Sequence, residues 1–294
     1  MKMKVIVTGA NGGFGALTVK TLVEQGHTVA ASMRDIHGRN AEHTSNFEAL
    51  GAHVVEIDVT NEESVNAGVK DAYDKMGGLD AVVNNAGVGV LGFQELFTTK
   101  EFERLFDINV FGVQRVNRAA IPYLRKQGSG LLIQISSILG RMNLPFYSPY
   151  NASKWAVEAL AEGYRLELSA FGIESVIVEP GGFPTSFFDR LIMPSDEERG
   201  ADYGPMKDAP KQMFEAFEGA LADNKAQDPQ LVADAVADLL GQNAGERPVR
   251  TVVDKMGMGD HMGPYNDQLE QIHHGILGAF GMGDMLKVKT KVEA

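Results

Sequence analysis

The stretch Thr8-Gly9-Ala10-Asn11-Gly12-Gly13-Phe14-Gly15 decides how this chain reads. It follows the apolar run Val5-Ile6-Val7 and opens a helical pattern from Phe14 to Gln25. Apolar residues on consecutive positions suit a strand buried on both faces. Glycines at a strand-to-helix turn let the backbone bend tightly and approach a pyrophosphate, whose charge the free N–H groups of the helix start can hold. The spacing is G-x-x-x-G-x-G over Gly9, Gly13 and Gly15 rather than G-x-G-x-x-G. Glycines also serve turns that bind nothing, so the position between a first strand and a first helix carries the reading.

The same alternation continues outward. Strands are predicted at Lys4–Val7, Thr28–Met33, His53–Ile57, Ala81–Asn84, Leu131–Ser136, Ser175–Glu179 and Pro248–Val253. Helices are predicted at Ala41–Leu50, Glu62–Met76, Lys100–Lys126 and Pro149–Phe171. Strand–helix alternation of this kind gives an α/β fold, a Rossmann-type doubly wound parallel sheet of about seven strands with helices on both faces. Two regions break the rhythm: 182–226, rich in Pro, Phe and Met, and 254–294, rich in Gly and Met and ending in a Lys-Val-Lys-Thr-Lys-Val tail. No fixed-period repeat or low-complexity linker divides the chain, so one domain over 1–294 is expected, with 182–226 as a lid and 254–294 as a C-terminal extension.

Composition narrows the function. With 27 basic and 39 acidic residues the net charge is −12, which offers no basic surface for nucleic acid or for an anionic membrane. There is no cysteine, so a disulfide framework, a thiolate metal site and a Cys nucleophile are excluded. No metal is expected, because His273 and His274 are adjacent and diverge on a helix, and His261 has no matching ligands. No run approaches the ~20 apolar residues of a membrane span, and the N-terminal apolar run stops at Thr8-Gly9. A soluble cytoplasmic protein is the expectation.

The glycine turn resembles that of the short-chain dehydrogenase/reductase family, and further motifs fall in that family's order. These are Asn84-Asn85-Ala86-Gly87, Asn109, Ser137, Tyr150-Asn151-Ala152-Ser153-Lys154, Pro180-Gly181 and Thr185. Tyr150 and Lys154 are four apart and so share one helix face. A nearby ammonium favours phenolate and so lowers a tyrosine pKa. Tyr150 is therefore read as general acid/base and Lys154 as its activator. The resemblance implies that Lys154 also binds the nicotinamide ribose, and that Ser137 hydrogen-bonds the substrate oxygen. Ser136 competes for that role, and the thirteen-residue spacing to Tyr150 favours Ser137. The resemblance further implies that Asn109 holds a water linking Lys154 to solvent; a purely structural Asn is the alternative.

The resemblance places the dinucleotide on Gly9, Asn11, Gly12, Gly13, Phe14, Gly15, Arg34, Asp58, Val59, Asn85, Ala86, Gly87, Tyr150, Lys154, Pro180, Gly181, Phe183 and Thr185. NAD-selective members end strand two with an acid. Here Met33 stands in its place, and Arg34 can pair with a 2′-phosphate, although Asp35 follows. NADP is expected over NAD. Asp58 is read as an adenine contact or as a helix cap, a role for which Asn61 competes. The implied activity is interconversion of a ketone or aldehyde with an alcohol. A nucleotide-binding regulator without turnover and an epimerase or dehydratase are the alternatives.

Leu139, Met142, Tyr147, Phe183 and Phe187 are the expected substrate contacts, within a wider apolar set that includes Val88, Val90, Leu91, Leu144, Phe188, Ile192 and Met193. Arg141 and Arg190 are the nearby charges. Such a lining favours an uncharged hydrophobic carbonyl. Phe106, Phe111, Val113, Val116, Leu160, Tyr164 and Leu168 exceed what one buried face needs, and the resemblance implies pairing of these helices in a homodimer or homotetramer.

Overall fold

The computed structural model describes residues 2–290. Residues 291–294, which include the end of the lysine-rich tail, lie outside the described residues. From the N-terminus the chain alternates β1 (Lys4–Thr8), α1 (Gly13–Glu24), β2 (Thr28–Met33), α2 (Ala41–Leu50), β3 (His53–Glu56), α3 (Glu62–Met76) and β4 (Ala81–Asn84). Then α4 (Thr99–Phe106) passes through a π-helical turn, Asp107–Phe111, into α5 (Gly112–Gln127), followed by β5 (Gly130–Ile135), α6 (Ser148–Leu168) and β6 (Ile173–Pro180). The chain continues through α7 (Glu197–Ala201), α8 (Ala209–Asp223), α9 (Gln230–Gly241), β7 (Arg250–Val253) and α10 (Gly259–Ala279).

All seven strands pair in parallel, in the order β3-β2-β1-β4-β5-β6-β7. The apolar runs noted in the sequence fill the centre: Val5, Ile6 and Val7 of β1 and Ala81, Val82 and Val83 of β4 are fully buried. Alternate strand residues feed two cores. Val5 and Val7 pack with Val19 and Leu22 of α1, Phe47 of α2 and Val236 of α9. Ile6 and Val82 pack with Val65 and Val69 of α3 and Val116 and Leu124 of α5 on the other face. The strand order reverses between β1 and β4, which leaves a crevice at their carboxyl ends.

Local chemistry sets the helix starts. Asn61 caps α3 by accepting from the Ser64 N–H, so Asn61 takes the capping role for which Asp58 was the other contender. Thr98 and Glu101 form a reciprocal capping box at α4. By contrast, α1 has no side-chain cap and no acid in its first turn.

Where the rhythm breaks, the structure still holds helices. Region 182–226 contains α7 and α8; Ile192 forms an isolated parallel bridge with Val90, and Phe183 packs into the core beside the sheet. Region 254–290 contains α10, whose Gly263, Gly275, Gly278 and Pro264 hide it from propensity arguments. Val113, Val116 and Leu168 face their own core, and Phe111, half exposed, is the apolar residue of that set that reaches solvent, joined by Trp155 and Phe171.

Candidate active site

A single cavity of about 650 Å³ runs along the crevice from the end of β2 to the segment after β6. The glycine turn forms its floor. Gly9 has φ +65°, and a Cβ there would stand 2.8 Å from the Ala86 Cα, so only glycine lets β1 and the loop after β4 come this close. Thr8 holds that loop, its hydroxyl accepting from the N–H groups of Asn85 and Ala86. Asn85 donates to the carbonyls of Thr8 and Gly9 at 2.9 and 3.1 Å. The uncapped start of α1 at Gly12–Phe14 therefore faces the cavity with free N–H groups, which suits an anion. Gly15 does not reach the cavity; a Cβ there would stand 2.5 Å from Asn85 Nδ2, so its smallness serves packing.

At one end, Arg34, Asp58 and Val59 line the cavity together with Arg39, Asn40 and His43. Arg34 pairs with Asp58 at 3.7 Å, and Arg39 with Asp35 at 3.5 Å. Partial burial raises the Asp58 pKa, but hydrogen bonds from the Thr60 N–H and hydroxyl, helped by Arg34, outweigh it and hold the carboxyl below its usual value. Asp35 adopts φ +52° and turns its carboxylate onto the Arg39 N–H, away from the role of a ribose acid. Arg39, Asn40 and His43 escaped sequence reasoning, because they belong to the β2–α2 segment and only its fold brings them to the end of β2.

In the middle lie Ser137, Tyr150 and Lys154, near Asn85, Ala86, Gly87, Pro180, Gly181, Phe183 and Thr185. Tyr150 and Lys154 share the face of α6 that their spacing predicts. The tyrosine ring sits in an apolar cluster with Val90, Leu105 and Ile192. Burial pushes its phenol well above the usual value, with the Ser137 hydroxyl acting in the opposite direction. Lys154 Nζ donates to the Ile135 carbonyl at 2.8 Å and stands 5.6 Å from the Tyr150 ring centroid. Burial pulls its pKa down to about 8, against the pull of Glu158. Burial thus sets the direction for the Tyr150 phenol here, while the lysine ammonium is turned to a backbone carbonyl.

Ser137 Oγ accepts from the Leu139 N–H at 3.1 Å and lines the cavity. Its rival Ser136 also borders the cavity but carries a buried hydroxyl without a hydrogen-bond partner. Asn109 is held by three side-chain hydrogen bonds. Its Nδ2 donates to the Val88 carbonyl and to Ser153 Oγ, and its Oδ1 accepts from the Val88 N–H. The side chain therefore ties the β4 loop to α6 and does not line the cavity. The π-helical turn around it breaks the regular backbone ladder beside the site, where such turns are often functional.

At the far end the wall is apolar. Leu139, Leu144, Tyr147, Phe183, Phe187 and Phe188 line it, with Met213 and Phe217 from α8 and Met258 added by the tertiary fold. An aromatic series runs from Tyr150 to Phe187 (5.8 Å between centroids), on to Phe188 (5.7 Å) and then to Phe214 and Phe217 of α8 (5.4 and 5.7 Å). Burial, and then Glu218, push the Tyr147 phenol up to about 12. Met142, expected as a substrate contact, is not among the residues that line the cavity. Val90, Leu91 and Ile192 are buried away from the cavity, and Met193 faces solvent. Arg141 is also excluded as a substrate anchor, since it is buried among carboxylates, while Arg190 stays at the cavity wall. Among the described residues no helix is long and apolar enough to cross a membrane.

Comparison with known proteins adds independent findings. The sequence pattern of the family described as short chain dehydrogenase matches residues 3–193. A 3-ketodihydrosphingosine reductase of Bacteroides thetaiotaomicron is 37% identical over 199 residues, covering 68% of this chain and 71% of the relative. Retinol dehydrogenase 8 of Bos taurus is 30% identical, covering 81% of this chain and 77% of the relative. Among solved structures, a short-chain dehydrogenase of Streptomyces avermitilis superposes with a TM-score of 0.74 at 28% identity, covering 96% and 99% of the two chains. An alcohol dehydrogenase of Thermococcus sibiricus, complexed with 5-hydroxy-NADP, superposes at 0.67 with 25% identity, covering 86% and 96%.

Proposed function

The chain belongs to the short-chain dehydrogenase/reductase family of oxidoreductases, and from that premise we propose that it is an NADP(H)-dependent reductase of hydrophobic ketones or aldehydes. The observation that carries the reading is the burial of the Tyr150 phenol where the dinucleotide crevice meets an aromatic wall. Two relatives are named as a 3-ketodihydrosphingosine reductase and a retinol dehydrogenase, which supports a carbonyl/alcohol pair as substrate and product.

The residues present fit the nucleotide. Uncapped N–H groups at Gly12–Phe14 suit the pyrophosphate, and Arg34 with Arg39 suits a 2′-phosphate. Asn85, Ala86, Gly87, Pro180, Gly181 and Thr185 border the nicotinamide side. Bound here, the dinucleotide supplies the hydride. Tyr150 gives its proton to the carbonyl oxygen as that oxygen gains charge, and Ser137 donates a hydrogen bond to the same oxygen. Lys154, as an ammonium, stabilises the phenolate that remains until solvent restores its proton. The aromatic wall excludes water and positions an apolar body, with 182–226 as the covering segment. One domain carries both sites. A homodimer or homotetramer through the exposed Phe111 and Trp155 surface, in the cytoplasm, completes the reading.

The test is NADPH oxidation with a panel of ketones and secondary alcohols, each run with both cofactors. Steady NADPH-dependent turnover with apolar ketones is the expected result. Tight NADPH binding without turnover on any carbonyl would replace this reading with that of a nucleotide-binding regulator.

A further inference from the structure

The covering segment 182–226 is tied at its base, and one buried side chain makes the tie. Gln227 follows the segment directly and is 1% exposed. It lies three residues before α9, whose Val232 and Val236 belong to the core beside the sheet, so it stands on a fixed post. Its carboxamide joins three stretches of chain. Nε2 donates to the carbonyl of Gly182, at the other end of the covering segment, at 2.6 Å, and to Asp254 Oδ1 at 3.3 Å. Oε1 accepts from the Lys255 N–H, in the connection between β7 and α10, at 2.6 Å. A carbonyl can only accept and a backbone N–H can only donate, so the two partners fix which way the amide faces. Asn224, just past the end of α8, adds a bond from its Nδ2 to the Lys255 carbonyl at 2.8 Å.

This junction touches the cavity on two sides. On the nucleotide side, Asp254 leans on the backbone of Gly181, where a Cβ would collide with its Oδ1. Asp254 is itself held, because its Oδ2 accepts from the Gly259 N–H at the start of α10 at 2.9 Å. On the substrate side, the Phe217 ring rests on Gly182, where a Cβ would collide with the ring edge. Phe217 and Met213 belong to the apolar wall, and the Phe217 ring meets Phe188 at 5.7 Å between centroids. Away from its base α8 has little hold on the rest of the chain. Of its fifteen residues, only Pro210 and Leu221 are buried. The place of the helix at the wall therefore depends on how its base is fastened.

We propose that Gln227 is a positioning residue for substrate recognition: by holding Gly182 and Lys255 together, it sets where Met213 and Phe217 of α8 stand against the backbone at Gly181 and Gly182. Leverage makes the base decisive. Met213 lies about 15 Å along the helix from Asp223, so a tilt of about 5° at the base displaces the backbone there by about 1.3 Å. A ketone large enough to reach α8 meets that displacement. A small ketone, held at Tyr150 and Ser137, does not. Glutamine suits the position because one side chain must both donate to a carbonyl and accept from an N–H; an ionised carboxylate there would face the Gly182 carbonyl and Asp254 with no proton to share.

This role rests on the reading of the cavity as a ketone-reducing site, and the experiment separates the two. Gln227→Met keeps the length of the side chain and removes its hydrogen bonds. NADPH-dependent reduction of a bulky alicyclic ketone and of acetone is compared with the unaltered protein, and backbone hydrogen exchange of α8 is followed without ligand. For the bulky ketone, KM should rise about tenfold with kcat within about twofold, and kcat/KM for acetone should stay within about twofold. The α8 amides should exchange about tenfold faster, with those of β1 and β4 unchanged. A residue that served stability alone would lower Tm and reduce turnover of both ketones in equal proportion, and that result overturns the proposal. So does unchanged exchange of α8 in folded Gln227→Met. In the unaltered protein the Lys255 amide should exchange slowly, which keeps the idea testable where the variant fails to fold; exchange as fast as that of a free surface amide overturns it. Faster α8 exchange in a protein that reduces no ketone would sustain Gln227 as the tie of α8 and refute the proposed reaction.

Discussion

Replacing Arg34 by Ala isolates the question of which nicotinamide nucleotide this crevice prefers. In the protein Arg34 is half exposed and pairs with Asp58 at 3.7 Å, so losing that pair costs the fold little. The consequence for a ligand is larger. A guanidinium hydrogen-bonded to a phosphate contributes about 2 kcal/mol at a partly exposed site. The substitution also leaves the Asp58 carboxylate, held ionised by Thr60, facing the same phosphate without its cation. About 2 kcal/mol corresponds to roughly 30-fold in affinity. NADPH should therefore bind roughly 30-fold more weakly to Arg34→Ala, whereas NADH, lacking the phosphate, should change by less than about threefold. Arg39→Ala should add a smaller loss of the same sign, since Arg39 lines the same end of the cavity. Fluorescence titration with each reduced cofactor measures both constants, and raising the salt concentration should narrow the gap between them. Equal losses for NADPH and NADH, or a larger loss for NADH, would refute the reading of Arg34 as the phosphate contact.

Tyr150→Phe removes a proton but keeps a ring that packs against Phe187 and Val90, so kcat should fall by about a thousandfold while NADPH affinity and Tm hold; near-normal kcat would overturn the assignment. The pH dependence of stability has a sign that the structure sets. Glu179, raised to about 8 when folded, stabilises the protein below its unfolded pKa, and that contribution is lost as pH rises through about 8. Lys154, lowered to about 8, destabilises below that value and recovers as pH rises toward its unfolded pKa. Calorimetric Tm should thus decline from pH 5 to 8, and Glu179→Gln should flatten that decline; an unchanged slope would contradict it. Phe187→Ala opens the wall beside Tyr150, so kcat/KM for a bulky alicyclic ketone should fall by about tenfold and that for acetone far less; a uniform loss would argue against apolar recognition at this wall.

How much of this was legible in the sequence differs by kind of information. The strand runs, the glycine turn, and the spacing of Tyr150 and Lys154 are local. Val5-Ile6-Val7 must be buried on both faces, and two residues four apart on a helix share a face wherever the helix lies. These determined the parallel sheet, its crevice and the family. Contacts between distant segments carry no such signal. Arg39 and His43 meet the end of β2 only through the course of the β2–α2 loop, and Met213 and Phe217 reach the wall only because α8 folds over it. That Asn109 fastens the loop after β4 to α6, through hydrogen bonds to Val88 and Ser153, is a contact the sequence does not signal. Met142 and Leu144 are equally apolar in the sequence, and only the turn after Ser137 decides that one faces the cavity and the other does not. Arg141, beside the substrate segment in the chain, is claimed by Glu158 and Glu179 from two other elements. Periodicity and turn chemistry act over a few residues, so the sequence by itself determined the scaffold and its reacting pair. Charge neutralisation and close packing act across space between residues far apart in the chain, so only the tertiary structure decided which neighbours tune that pair.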